Sequence, residues 1–216
     1  MRKIMKTLRE SDVGDIGIGA MIVFIAMVLV AGIAASVLIQ TSTKLETQTL
    51  KTGRETLAEA ASGLKIEYIE GYNSSGKITK MAVEATARAG VTSIDLSQVV
   101  IEISNSTAKY LLRYGSQVTN VTSVNGNIFN VVHFGSATTF HIIVLQDADN
   151  SILPSTPIAD YGDHWVFTVN ASQVFGGGGV PPRTNVFGMV IVEEGAPGII
   201  GFTTPPAYTR TVMELQ

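Results

Sequence analysis

From Ile16 to Thr43 the chain runs 28 residues without a charged side chain, and the first 24 of these are almost entirely apolar or small. At 1.5 Å per residue such a run is about 42 Å long as a helix, more than the roughly 30 Å hydrocarbon core of a bilayer. Beyond Gln40 the pattern turns polar, with Leu45, Leu50, Leu57 and the Ala60-Ala61 pair as apolar contacts and Gly63 as a C-terminal stop. The spacing predicts one helix over residues 15–63, roughly 70 Å long. Threonines between Thr41 and Thr52 have weak helix propensity and predict a bend there.

From Leu64 onward the period changes to alternation. Expected strands are Leu64–Tyr68, Ile78–Ala87, Val99–Ile103, Lys109–Tyr114, Ile128–Phe134, Thr138–Leu145, Trp165–Val169, Asn185–Val192, Ile199–Thr203 and Tyr208–Met213. Trp165, Phe167 and Val169 fall on one strand face. Asn125-Gly126 is a strong hairpin signal, and the other breaks are rich in Gly, Pro, Ser and Asn. About ten short strands in some 150 residues argue for an antiparallel sandwich. The expected class is α+β: a long N-terminal hydrophobic helix followed by an antiparallel β-sandwich.

The net charge of -3 provides no basic surface, so nucleic acid is not an expected partner. The chain has no cysteine, which removes disulfides, thiolate metal sites and cysteine nucleophiles. It has no G-x-S-x-G elbow and no recognisable frame of paired carboxylates, so no catalytic residue is assigned. Gly14, Gly17 and Gly19 have the wrong order for a dinucleotide fingerprint, and Gly176–Gly179 lacks the lysine and following helix of a phosphate cradle.

Three readings compete for the front of the chain. A secretory signal peptide would be cut near Ala34-Ala35-Ser36, but its apolar stretch should span only about 7 to 15 residues. A plain membrane anchor explains the length and leaves Gly14, Gly17 and Gly19 without a purpose. In the third reading the chain is cut at the glycine seam, after Gly14 or after Gly17, and the hydrophobic helix stays with the mature protein. Arg2, Lys3, Lys6 and Arg9 outweigh Glu10 and Asp12, which places the N-terminus in the cytoplasm and everything after Thr43 outside. Gly32 with Ser36, and Ala31 with Ala35, have the small-xxx-small spacing of closely packed helices.

The stretch DIGIGAMIVFIAMVLVAGIAASVLIQT at Asp15 to Thr41, together with EEGAPGIIGFTTPPAYTRTVMELQ at Glu193 to Gln216 and LQDADNS at Leu145 to Ser151, resembles the archaellins, the archaeal flagellins related to type IV pilins. The resemblance implies a leader peptide over residues 1–14, processing between Gly14 and Asp15, a filament-core helix over 15–63 and an immunoglobulin-like outer domain over 64–216. One departure is Val13, where the family commonly has a basic residue before the cleaving glycine. Gly19 stands where type IV pilins have glutamate, which favours an archaellin. The implied function is a structural, non-enzymatic subunit of the archaeal motility filament, with an archaeal adhesion pilin or a membrane-tethered surface protein as the alternative. Implied partners are copies of the chain, other archaellin subunits, a prearchaellin peptidase, and the archaellum membrane platform with its assembly ATPase. The precursor would sit in the cytoplasmic membrane and the product in an extracellular filament.

Four N-glycosylation sequons begin at Asn73, Asn105, Asn120 and Asn170, although the chain has only nine asparagines; all four lie on the side expected to be outside. Asp147, Asp149 and Asn150 follow an expected strand, with Asp160 and Asp163 further on. Oxygen ligands alternating in a loop suit a divalent cation, calcium or magnesium, although the EF-hand glycine and distal glutamate are missing. The resemblance supports this reading, and no cofactor is required. His133, His141 and His164 are scattered at no ligand spacing; His133 and His141, each beside a phenylalanine in an expected strand, are assigned structural roles.

Overall fold

The computed structural model describes the backbone of residues 2–90 and 93–216, and the side chains of 17–57, 59–90 and 93–216. It divides into two compact units, residues 1–54 and 55–216. A single helix, α1 (Arg2–Ala61), occupies the first unit and enters the second, so the helix begins well ahead of the expected Asp15. Between Ile18 and Ile39 every large apolar side chain of α1 is more than half exposed, on all sides of the helix. The threonine zone remains helical. The Thr41, Thr43, Thr47 and Thr49 hydroxyls each donate to the carbonyl four residues back, which answers the hydroxyl without opening the ladder.

The helix stops where Gly63 adopts φ +114°, with the backbone of Ala196 packed against it at a distance no side chain would allow. The second unit then forms β1 (Leu64–Ser74), β2 (Lys77–Ala87), β3 (Ile94–Asp95), β4 (Val100–Asn105), β5 (Lys109–Asn120), β6 (Thr139–Gln146), β7 (Ile158–Ala159), β8 (His164–Val169), the short α2 (Ala171–Val174), β9 (Asn185–Ile191), β10 (Gly198–Thr203) and β11 (Val212–Glu214). Nine strands make one sheet in the order β10-β9-β4-β5-β6-β8-β2-β1-β11, and β3 pairs with β7 alone. The α+β class and the helix-then-sheet order are as expected. Both layers of the expected sandwich come from one sheet that curls over a common core. At its centre Trp165, Phe167 and Phe140 are fully buried, the last two rings meeting edge to face at 5.2 Å.

Two expectations fail between residues 121 and 138. Ile128–Phe134 is not a strand, and Asn125-Gly126 does not join a hairpin; the segment instead holds two 3-10 turns, Val121–Ser123 and Ile128–Asn130. Asn120 and Asn127 start these turns by accepting the backbone N–H two residues on. The apolar residues that read as a strand, Phe129 and Phe134, pack with Ala82, Ile143 and Val166 on the outer face of the sheet. This crossing of 18 residues also brings β6 beside β5 in parallel, where an antiparallel pair was expected. The last expected strand, Tyr208–Met213, is displaced toward the C-terminus as β11 (Val212–Glu214); Tyr208 Oη instead donates to the Val180 carbonyl. The pairs β3–β7 and the helix α2 were not foreseen; two-residue strands carry no readable period.

Candidate functional site

The exposed shaft of α1 is the first candidate. Met21, Ile22, Val23, Phe24 and Ile25 are consecutive and each more than half exposed, so the apolar surface runs all round the helix and no face is polar. A helix apolar all round is stable only where it is surrounded by apolar groups. The Gly32 position is open: apart from the backbone of its own helix, a Cβ there meets no atom of the described residues within 4 Å. Gly14 and Asp15, the expected processing pair, lie outside the residues whose side chains are described.

The acidic cluster is the second. Asp147 follows β6 directly and Asp163 precedes β8 directly, and the β6–β8 register, which sets Gln146 opposite His164, carries both to the same end of the sheet. Asp147 is held by two backbone donors, Ser151 N–H to Oδ1 at 3.2 Å and Ile152 N–H to Oδ2 at 3.0 Å. Asp149 Oδ1 also accepts from Ser151 N–H. Carboxylate oxygens of Asp147, Asp149 and Asp163 lie within 4.8 Å of one another.

Asp149 and Asp163 are shifted in opposite directions. Asp149 is exposed, and its hydrogen bonds, first to Ser151 and then to Asp147, hold its pKa below the usual carboxylate value. Asp163 is buried, and burial pushes its pKa up; the N–H of Asp160 donating to its Oδ2 at 2.8 Å opposes this, while the charges of Asp147, Asp149 and Asp160 add to it. Asp160 Oδ1 is itself buried without a hydrogen-bond partner. Crowded hard oxygens, one of them buried, fit a divalent cation such as calcium or magnesium. Asn150, at φ +59°, lines a cavity of about 180 Å³ with Asp147 and Asn120. The structure thus brings Asp163 into the set read from Asp147, Asp149 and Asn150; the register of β6 with β8 was the missing information.

The four sequons differ in how their amides are engaged. Asn120 is exposed, and its Oδ1 faces the Thr122 N–H. Asn105 Oδ1 accepts from the N–H groups of Thr107 and Ala108. In contrast, the Nδ2 of Asn73 donates to the Arg210 carbonyl and that of Asn170 to the Gly135 carbonyl. Of the histidines, His141 packs its ring edge on Gly115 and accepts the Gly135 N–H at Nδ1, 3.1 Å. Its ring lies 6.2 Å from that of His133, while His164 stands apart beside Glu84.

The chain is similar to flagellin B2 of Methanocaldococcus jannaschii, 43% identical over 208 residues that cover 94% of this chain and 95% of that protein. It is 38% identical to flagellin B1 of Methanococcus voltae, covering 98% and 99% of the two chains. Among solved structures, the crystal structure of archaeal flagellin FlaB1 from Methanocaldococcus jannaschii matches with a TM-score of 0.64 and 33% identity, covering 72% of this chain and 98% of that one. The archaeal flagellum of Methanospirillum hungatei strain JF1 matches in fold with a TM-score of 0.60 at 18% identity, covering 91% and 98%. With the archaeal-type flagellin model matching residues 14–202 and relatives of this similarity along nearly the whole chain, the protein belongs to the archaeal flagellin family and is a structural subunit of the extracellular archaellum filament.

Proposed function

We propose that the subunit is stored in the cytoplasmic membrane through α1, is cut between Gly14 and Asp15 by a prearchaellin peptidase, and then joins the filament by that same helix. The observation that carries this is the uniformly exposed apolar shaft between Ile18 and Ile39. Lipid tails and neighbouring helices solvate such a shaft about equally, so it passes from one to the other with little change in hydrophobic free energy. The four cationic residues of the leader do not: each charge taken into a water-free bundle costs on the order of 2.5 to 3.5 kcal/mol on insertion scales. Cleavage therefore gates assembly. Once exposed at the new N-terminus, Asp15 caps the first turn and offsets its dipole. The match to the family model, which starts at residue 14, is consistent with that boundary.

The membrane platform and an assembly ATPase supply the work of extrusion, for which this chain carries no nucleotide motif. Other archaellin subunits share the filament. Residues 64–216 form its outer layer, with glycans on sequon asparagines. Asp147, Asp149 and Asp163 hold a calcium or magnesium ion that pins the ends of β6 and β8, with Asn150 at the rim. N-terminal sequencing of sheared filaments tests the reading: a start at Asp15 supports it, a start at Ile18 moves the cut to Gly17, and a start at Met1 or near Ser36 overturns it.

A further inference from the structure

A curled sheet of nine strands has two edges, here β10 and β11. At one end of the seam between them the chain closes directly: Gly63 bridges Ala196 in parallel, with Leu64 N–H donating to the Ala196 carbonyl at 3.3 Å and Ala196 N–H to the Ser62 carbonyl at 3.1 Å. Further along, β1 and β10 splay apart, and the short β11 is laid against β1 in the gap, with Glu70 opposite Glu214. Backbone pairing continues to Gln216, whose carbonyl accepts the Ile69 N–H at 2.9 Å. No backbone pairing joins β11 to β10.

The remaining gap is crossed by one side chain. Gln216 Oε1 accepts the Gly201 N–H at 2.7 Å, and Gln216 Nε2 donates to the Ile199 carbonyl at 3.2 Å. Residues 199 and 201 are the alternate positions of β10 whose backbone groups face away from β9, so the amide of Gln216 takes the place that a neighbouring strand's peptide would occupy. An open edge with free N–H and C=O groups is a template for strand addition by another chain, and closing the sheet removes it. In a polymer, where copies are held at high local concentration, such an edge would be presented continuously.

We propose that the Gln216 side chain is the closing rung of the sheet: it occupies the Ile199–Gly201 stretch of the open edge of β10 and denies that stretch to strands of neighbouring copies. Residue-resolved hydrogen exchange on the full chain in detergent micelles, where no neighbour covers β10, tests this. In the unaltered chain the Gly201 amide is protected although it belongs to an outermost strand. Gln216→Ala raises its exchange about fivefold or more, as loss of a net hydrogen bond does, while the Ile200 and Phe202 amides, facing β9, keep their rates. Gln216→Asn, one methylene too short, behaves like alanine. Gln216→Glu retains the acceptor for Gly201 and loses only the donor to Ile199, so it preserves Gly201 protection. Unchanged Gly201 exchange in Gln216→Ala, or equal loosening of the β2–β8 amides remote from the seam, overturns the proposal.

Discussion

Replacing Gly32 with leucine separates the subunit from the polymer. Within one chain the change is benign: Gly32 lies inside α1, and a Cβ there meets nothing within 4 Å. Leucine is the better helix former by roughly 0.8 kcal/mol, so the isolated helix gains. Lipid tails accommodate the added side chain. Close-packed helices do not, because overfilling a well-packed site costs about 1 to 3 kcal/mol, a loss of roughly 5- to 150-fold in the association constant for each contact made through that position. The expected result is a normal amount of membrane-bound subunit, normal helix content in detergent by circular dichroism, and a sharp fall in sheared filament with a lower filament melting temperature. Gly32→Ala should fall between the two. Gly32→Leu filaments that form and melt like the unaltered ones would show that backbones do not approach closely at this level of the shaft, and the packing rationale would fail.

Chelation of divalent ions should lower the melting temperature of filaments, and added calcium or magnesium should restore it; Asp163→Asn should abolish that response, so an unaltered response in the variant removes Asp163 from the site. Burial lowers the pKa of His141, opposed by a hydrogen bond with the His133 backbone and aided by the charge of the His133 ring, and its Nδ1 must stay unprotonated to accept from Gly135. The neutral ring is therefore the native form: stability is complete above the unfolded-state value of about 6.5 and declines as the pH falls from there through the lower folded-state value. Melting curves between pH 7 and pH 4 should show this decline, and His141→Gln should flatten it. Glycopeptide mass spectrometry should find glycans at Asn120 and Asn105, whose Nδ2 atoms donate no hydrogen bond among the described residues, ahead of Asn73 and Asn170, whose Nδ2 atoms already do; the opposite ranking would refute the accessibility argument.

The shaft, the stop at Gly63 and most of the strands were legible because their signals are local: an uncharged run, a residue that tolerates positive φ, an alternation. Phe129 and Phe134 misled for the same reason. Their spacing looks like a strand, yet what they satisfy is the outer face of the sheet, built from Ala82, Ile143 and Val166, which no window around residue 130 contains. Val166 and Thr168 are buried on the far side of β8 from Trp165, so that strand is covered on both faces, a fact set by the crossing segment and invisible in its own six residues. The acidic cluster was half legible. Asp147 and Asp149 share a turn, whereas Asp163, 16 positions beyond Asp147, joins them only through strand pairing.

The apolar stretch of α1, Ile16 to Ile39, is about 36 Å long and exceeds a bilayer's hydrocarbon thickness by about 6 Å. For the membrane-held subunit proposed above, that surplus must be absorbed by tilting or by swelling the lipid around it, at fractions of a kcal/mol for each ångström. A bundle of like helices has no prescribed thickness and exacts no such strain. The precursor would then wait under load, like a bolt too long for its plate, and a few kcal/mol of elastic energy would favour its departure into the growing shaft.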